Sequence, residues 1–260
     1  MKAKIFSLEG VSAKTAELPP QFSEEIREEI IRRAVLSDET KLYQPQGSFY
    51  KAGFQTSARY RGRKEDYGSL KNRGQARLPR EVRPKGNWGK VRRIPSSLKG
   101  HRAHPPKVEK RIVELVNRKE YKKALRSALA ATASPALARA RGHLFDCELP
   151  LVFENKLESL SKTKEVLSAL EKLAGKDLER ARSSRKPRSG TRSRKAGTRT
   201  AKSLLLVVSG GSILKSARNI PGVDVVQAEK LRVKDLAPGT HPGRFTLYTE
   251  NALKKIHEVL

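Results

Sequence analysis

The chain has 260 residues, with 56 Lys and Arg against 27 Asp and Glu, a formal charge of +29 and a pI near 10.5. This excess predicts a polyanionic partner, and nucleic acid is favoured over an anionic membrane because no basic amphipathic helix is evident. A single cysteine, Cys147, excludes an intrachain disulfide and fits a reducing compartment. We see no secretory signal and no apolar run of about 18 residues, so we expect no membrane segment.

The positive charge is concentrated in two segments. Residues 44–107 hold 17 Lys and Arg against 3 acids, and residues 180–202 hold 10 Lys and Arg and no acid. These segments carry +24 of the +29, which leaves a net charge of +5 on the other 173 residues. The sequence therefore predicts a nearly neutral globular body, residues 1–43 and 108–260, that carries an inserted basic segment at 44–107 and a second basic loop at 180–202.

The first part of the chain predicts a strand followed by a helix. Residues 2–8 are expected to form a short strand. Ser23 is a suitable N-cap for a helix through residue 36, since two glutamates follow it in the first turn. Ile26, Ile30 and Ala34 would form the apolar stripe of that helix.

Residues 44–107 show neither a helical nor a strand period. They contain eight Gly, six Pro and only six Leu, Ile or Val, so alone they cannot bury enough apolar surface to offset the entropy of ordering. We expect them to be disordered in the free protein and ordered on RNA. Aromatic rings between arginines suit RNA, where rings stack on splayed bases, although a flexible basic linker is the alternative. The segment holds six of the 14 aromatic residues: Phe49, Tyr50, Phe54, Tyr60, Tyr67 and Trp88.

The remainder predicts alternating helices and strands. Residues 107–133 are expected to form two helices with Leu125 and Leu129 facing inward, and Gly175 is placed to stop a helix over 161–174. The fold class is therefore α/β, a mostly parallel sheet flanked by helices with Rossmann-like topology. The later elements are strands at 146–153, 204–208, 223–227 and 245–249, and helices at 211–218 and 250–259.

Residues 180–202 have a low-complexity composition of Arg, Ser, Gly and Thr. A solvated linker or localisation tract is one interpretation. A second RNA-binding loop is favoured, because the segment lies inside the α/β body and directly precedes the buried strand at 204–208.

The sequence offers little support for catalysis, a cofactor or a metal. His101 and His104 have a spacing that can ligate metal on a helix, but two prolines follow and no cysteine is near. Cys147 lies between two acids, which would raise the pKa of its thiol, so a half-buried strand residue is the simpler interpretation. Gly210-Gly211 follows a strand where a phosphate-binding turn belongs, but no complete nucleotide motif surrounds it.

Several motifs together resemble the large-subunit ribosomal protein L4 family in its archaeal form. The resemblance runs over almost the whole chain. The motifs are Gly89–Pro95 (GKVRRIP), Lys99–Pro106 (KGHRAHPP), Arg126–Ala133 (RSALAATA), Arg141–His143 (RGH), Ala217–Asp224 (ARNIPGVD) and Arg244–Leu253 (RFTLYTENAL).

The resemblance implies a structural constituent of the large ribosomal subunit. It implies an α/β body on the outside of the subunit and a long loop that threads into large-subunit rRNA and helps to line the nascent-peptide exit tunnel. The expected partners are rRNA, neighbouring ribosomal proteins and the nascent peptide, and the expected location is the ribosome in the cytoplasm. The family tip precedes Leu78–Glu81, so the tunnel tip here would comprise Lys71, Asn72, Arg73, Gly74, Gln75, Ala76 and Arg77.

We expect the two basic segments to supply the RNA contacts, with Tyr60 and Trp88 as the stacking residues. Two other functions stay open: an RNA-binding regulator acting off the ribosome, and a nucleotide-binding α/β enzyme that uses Gly210-Gly211. The remaining candidate contacts are Arg59, Arg61, Arg63, Arg73, Arg77, Arg80, Arg83, Lys90, Arg92, Arg93, Lys99, His101, Arg102, Arg185, Arg188, Arg192, Arg194 and Lys195.

Overall fold

The computed structural model describes residues 1–188 and 197–259. The chain forms two compact units. We call Met1–Leu42 with Val113–Leu260 the body, and Tyr43–Ile112 the insertion unit. The strands are β1 (Lys2–Phe6), β2 (Ser12–Glu17), β3 (Arg80–Val82), β4 (Trp88–Val91), β5 (Leu151–Phe153), β6 (Lys186–Pro187), β7 (Thr198–Arg199), β8 (Leu205–Val208), β9 (Asp224–Gln227) and β10 (Thr246–Thr249). The α-helices are α1 (Glu28–Thr40), α2 (Arg118–Thr132), α3 (Pro135–Ala140), α4 (Thr163–Ser183), α5 (Ile213–Ser216), α6 (Val233–Leu236) and α7 (Glu250–Val259).

A six-stranded sheet of order β2-β1-β5-β10-β8-β9 forms the centre of the body. The β1–β2 pair is antiparallel, and every other neighbouring pair is parallel. The predicted α/β class with a mostly parallel sheet is confirmed. The antiparallel strand β2 is absent from the sequence prediction.

Strands β5 and β8 are apolar and buried at every position, so the sheet is covered on both faces there. Successive side chains of a strand point to opposite faces, so alternate residues enter two separate cores. Leu205 and Val207 pack with α1, α2, α6 and α7, whereas Leu206 and Val208 pack with α4 and α5. This arrangement confirms the prediction of a strand buried on both faces.

The first helix differs from its prediction. It begins at Glu28 rather than at Ser23, because residues 20–23 form a separate 3-10 turn whose Phe22 is buried in the core. The later start shifts the apolar stripe: Ile31, Ala34 and Val35 are fully buried, whereas Ile26 is 37% exposed. The prediction is therefore wrong for Ile26, which lies outside the helix, whereas Ala34 is fully buried and Ile30 packs against the core as expected.

Two further helix boundaries were predicted wrongly. Residues 107–117 are not helical, so the region 107–133 holds one helix, α2, with Leu125 and Leu129 buried as expected. Helix α4 runs past Gly175 to Ser183 with only a local kink at Ala174. Burial of Leu178 and Ala181 beyond the kink stabilises the continuation, which outweighs the helix-stopping tendency of glycine.

A buried ionic cluster ties α4 to two other parts of the body. The Asp177 carboxylate accepts hydrogen bonds from Ser203 Oγ at 2.5 Å, Arg180 Nε at 2.9 Å and the Leu144 amide at 3.1 Å, and His143 Nδ1 lies 3.1 Å away. Burial alone would raise the pKa of Asp177, but the hydrogen bonds from His143, Arg180 and Ser203 outweigh it and hold this pKa well below its usual range. The ionised carboxylate is therefore part of the folded structure.

We predict that Asp177→Asn lowers the free energy of unfolding by ~3 kcal/mol, because it leaves the partly buried Arg180 guanidinium without its counter-ion and disturbs the buried hydrogen bonds of this cluster. The matched control is Asp146→Asn. Asp146 pairs with Lys176 at the surface, where the two side chains are 76% and 67% exposed, so its loss should cost less than about 0.5 kcal/mol. Urea unfolding of the full chain measures both changes, and equal effects of the two substitutions would contradict the assignment.

The stabilisation contributed by the Asp177 carboxylate should depend on pH. A carboxyl whose folded-state pKa is depressed stabilises the fold fully above its ordinary pKa of 3.8, and this stabilisation is lost as the pH falls through the folded-state pKa. The difference in unfolding free energy between the natural chain and Asp177→Asn should therefore shrink as the pH is lowered below about 4. A difference that stays constant down to about pH 2.5 would show that Asp177 is not ionised in the fold.

Candidate nucleic-acid interface

The insertion unit is built around a small antiparallel sheet. Strands β3 and β4 pair with Arg80 opposite Val91 and Val82 opposite Trp88. Arg59 adds a third segment, since its amide donates to the Arg80 carbonyl at 3.0 Å and its carbonyl accepts from the Arg80 amide at 3.2 Å. Among its apolar side chains Ala58 and Leu70 are nearly fully buried, so backbone pairing rather than a large core shapes the unit.

One of the predicted RNA-binding arginines packs inside the insertion unit on an aromatic ring. The Arg61 guanidinium lies 5.0 Å from the centre of the Trp88 ring and donates to the Tyr67 carbonyl at 2.9 Å. A guanidinium over an indole face is a favourable cation–π contact. Arg61 and Trp88 therefore stabilise each other, and both are only partly exposed.

Arg92 and Arg93 also make internal contacts. Arg92 Nε donates to Glu81 Oε1 at 2.7 Å, and Arg92 Nη1 donates to the Leu98 carbonyl at 2.5 Å. The hydrogen bond from Arg92 lowers the pKa of the Glu81 carboxyl. Arg93 Nη1 donates to the Ala58 carbonyl at 3.2 Å. Both arginines thus join strands and turns of the insertion unit.

Two close approaches of the chain require glycine. A Cβ at Gly100 would lie 1.9 Å from the Ile94 carbonyl oxygen. Gly53 has φ of +83°, and a Cβ there would lie 2.6 Å from the backbone of His101. Gly100 therefore permits the tight turn next to Lys99, and Gly53 permits its own segment to pack directly against the backbone of His101.

Other predicted contacts are exposed on the insertion unit. The exposed candidates differ from Arg61 and Arg92 in that their side chains extend into solvent, where a phosphate can reach them. They are Arg59, Tyr60, Arg63, Arg83, Lys90, Arg93, Lys99 and Arg102, whereas Arg80 and His101 are partly buried.

The predicted tip, residues 71–77, is exposed throughout. Asn72 and Gly74 have positive φ values of 56° and 65°, which turn the chain back on itself. A Cβ added at Gly74 would meet no atom within 4 Å. The tip is therefore a reversal of the chain with open space at its apex.

The second basic loop begins as a β-hairpin. β6 and β7 pair with Lys186 opposite Arg199, and the Arg188 amide donates to the Gly197 carbonyl at 2.8 Å. Arg185 and Arg188 are exposed beside these strands. The other predicted contacts, Arg192, Arg194 and Lys195, lie outside the described residues.

The sequence analysis missed several residues that shape these surfaces. Glu81 holds Arg92, and its role is visible only when the β3–β4 pairing is known. In the body, Lys119, Lys122 and Lys123 line a shallow cleft with Glu24 and Glu25. The helical spacing of α2 brings these three lysines together. A count of net charge by segment does not show the cluster, because acidic residues nearby cancel its charge.

A carboxylate of the chain itself is bound beside the Gly210-Gly211 turn. Glu158 accepts from the Ser209 amide and Ser209 Oγ, both at 2.8 Å, and from Thr249 Oγ1 at 2.5 Å. A Cβ at Gly211 would lie 2.4 Å from the Glu158 carbonyl oxygen, so the glycine permits this packing. Glu158 thus occupies the Ser209 donors at the end of β8 and places a negative charge beside the turn predicted to bind a phosphate.

Cys147 lies in a bend rather than in the predicted strand. Burial raises the pKa of its thiol, and the nearby Asp146 adds to the rise. Within residues 1–188 and 197–259, we find no group of three or more His, Cys, Asp or Glu side chains placed to hold a metal ion. No helix in the same described ranges is long and apolar enough to cross a membrane.

Comparison with known proteins places this architecture in a family. The profile of the ribosomal protein L4/L1 family matches residues 16–259. The large ribosomal subunit protein uL4 of Methanoculleus marisnigri is 44% identical over 259 residues, covering 99% of both chains. The uL4 proteins of Methanocaldococcus jannaschii and Archaeoglobus fulgidus are 43% identical over 262 residues, covering 99% of each chain, and 41% identical over 267 residues, covering 100% of each. The chain therefore belongs to the ribosomal protein L4/L1 family, whose members of this type have a structural rather than an enzymatic role in the large ribosomal subunit.

Proposed function

We propose that the chain binds large-subunit rRNA through the insertion unit and the β6–β7 hairpin, supports subunit assembly, and helps to line the nascent-peptide exit tunnel. The observation that carries the proposal is the segregation of charge, since residues 44–107 and 180–202 hold +24 of the +29. A surface of this kind neutralises phosphates where rRNA segments pack closely. The nearly neutral sheet and helices then act as its support.

The geometry divides the predicted RNA-binding residues into two classes. The outer cations Arg59, Arg63, Lys90 and Lys99 are exposed and would contact phosphates directly. The inner residues Arg61, Arg92 and Trp88 would act through the shape of the insertion unit, because they bond to its own carbonyls, carboxylate and ring. Phosphate contacts position a protein on RNA, and a preformed scaffold lowers the entropic cost of making them.

The tip at residues 71–77 would face the tunnel. Its exposure and the open space around Gly74 fit a segment that meets water and a passing peptide rather than packed side chains. Lys71, Arg73 and Arg77 would carry positive potential into a constriction surrounded by anionic rRNA.

RNA binding should depend steeply on salt. If about ten phosphates are neutralised, log K should fall against log salt with a slope of roughly −7 to −9 on a large-subunit rRNA transcript. Replacing the four outer cations Arg59, Arg63, Lys90 and Lys99 together by Gln should make that slope shallower by about 3, because fewer counterions are released. Filter binding or fluorescence anisotropy over a salt series measures the slope.

The matched control removes four cations from the body. Lys4, Lys156, Lys162 and Lys176 each pair with an acid there, so their joint replacement by Gln should change the slope by less than about 1. A slope shallower than about −3 for the natural chain, or equal effects of the two quadruple variants, would mean that the insertion unit is not the main contact.

Deletion of residues 72–76 should leave incorporation into large subunits near normal but alter nascent-chain stalling or sensitivity to tunnel-binding antibiotics. The reason is that the apex at Gly74 has open space around it. The deletion removes the hydrogen bond from Arg80 Nη2 to the Ala76 carbonyl at 3.3 Å, but the links made by Arg61 and Arg92 stay in place. Sucrose-gradient profiles and a stalling-peptide assay measure the two effects.

The contrasting variant combines Arg92→Ala and Arg93→Ala. It removes bonds to Glu81, Leu98 and Ala58, and we expect it to lower incorporation. If the tip deletion abolishes incorporation while the double variant assembles normally, this division of roles is reversed.

Two other functions remain distinguishable by experiment. An RNA-binding regulator acting off the ribosome would not co-sediment with large subunits in high-salt gradients, whereas a structural constituent would. The second alternative, a nucleotide-binding α/β enzyme, rests on the Rossmann-like topology that we propose for the body. That topology would suggest a nucleotide site at Gly210-Gly211. The Glu158 carboxylate bonds to Ser209 beside that turn and would repel a phosphate, so nucleotide titration should give no saturable binding there.

A further inference from the structure

The two ends of the insertion unit enclose a cavity of about 1200 Å³ between residues 47–54 and residues 101–109. The Ser48 amide donates to the Pro106 carbonyl at 3.4 Å, which joins the two stretches on one side. Gly53 lies against the backbone of His101, where no side chain fits. The cavity is therefore framed by backbone contacts at both sides.

Aromatic rings line this cavity. The Phe54 and His101 rings pack with their centres 4.5 Å apart and their planes at 36°. Phe49 and Tyr50 also line it and are 60% and 91% exposed. Exposed rings that converge on a concave surface are a favourable site for a flat apolar partner. We call the cavity lined by Phe49, Tyr50, Phe54 and His101 the aromatic slot.

The charge around the aromatic slot indicates which flat partner it fits. Lys51, Arg93, Arg102 and Lys107 line it, together with one acid, Glu109. Aromatic rings would suit many ligands, but four cations beside them favour a ligand that joins a flat ring to negative charge. A nucleotide within an RNA strand has this combination, because its base is a π-surface and its flanking phosphates are anionic.

We propose that the aromatic slot binds a single unpaired RNA base, with the flanking phosphates on the cations of its rim. The inference rests on the proposed function and adds to it a defined subsite for a splayed nucleotide. A base in a duplex has both faces covered by its neighbours and cannot enter, so the slot selects unpaired nucleotides. Tyr50 is the ring most available for stacking, because its side chain is nearly fully exposed.

The test uses the full chain and a short oligouridylate with one central 2-aminopurine, whose fluorescence falls when it stacks on an aromatic ring. Uracil stacks weakly, so the purine is the preferred occupant. Binding should quench the fluorescence, and Tyr50→Ala should weaken binding by roughly 5- to 100-fold and remove most of the quenching. Tyr50→Phe retains the ring and should restore both.

The matched control is Tyr67→Ala. Tyr67 is an 89% exposed aromatic residue of the same insertion unit that is not among the residues lining the slot. Its replacement should leave quenching unchanged, and both substitutions are at exposed positions where no loss of folding is expected.

Each outcome bears on a separate claim. Quenching that Tyr50→Ala removes and Tyr67→Ala keeps supports the slot. RNA binding without quenching, quenching equally sensitive to both substitutions, or equal quenching of a duplex probe overturns the slot and leaves the proposed function standing. Failure to bind either this probe or a large-subunit rRNA transcript overturns both.

Discussion

The mutual repulsion of positive charge is the constraint on which this structure depends. A chain with a net charge of +29 cannot pack its cations around a single core, because the desolvation and repulsion would exceed the gain from apolar burial. Here strand β8 of the sheet is wholly apolar, and +24 of the net charge of +29 lies in residues 44–107 and 180–202, which contribute little to either face of that sheet. Where charge is buried in the body, as at Asp177, it is matched by His143 and Arg180.

The same constraint explains how the insertion unit keeps a shape with a small apolar core. Its cations serve two purposes, since some extend into solvent while others replace apolar contacts as internal links. Arg61 on Trp88 and Arg92 on Glu81 each join parts of the chain that are distant in sequence. Their guanidinium groups also donate hydrogen bonds to the backbone carbonyls of Tyr67 and Leu98, which ties these loops to the strands. These links give the insertion unit a defined arrangement, whereas its composition alone predicts a segment that is disordered until it binds RNA.

Local sequence patterns were sufficient to predict the fold class, but not the details set by distant contacts. The apolar run of β8, the strand β10 and the helix α7 are confirmed because burial and periodicity specify them locally. The predicted start of α1 was wrong because Phe22 packs into the core and residues 20–23 form a separate turn. The capping pattern of the local sequence does not reveal this long-range contact. At the candidate interface, the basic residues were predictable from composition. The internal role of Arg92 was not, because it depends on the pairing of this residue with Glu81. The aromatic slot was not predictable either, because it is formed by two stretches about fifty residues apart in the sequence.

The most direct test of the central claim is to map where the chain touches RNA in an assembled particle. Large subunits reconstituted with this chain would be irradiated with ultraviolet light, and the cross-linked peptides identified by mass spectrometry. If charge segregation defines the interface, most protein–RNA cross-links should fall within residues 44–107 and 180–202, with few on the outer faces of α4 and α7. Cross-links that fall mainly on the body, with the two basic segments largely free of them, would contradict the account.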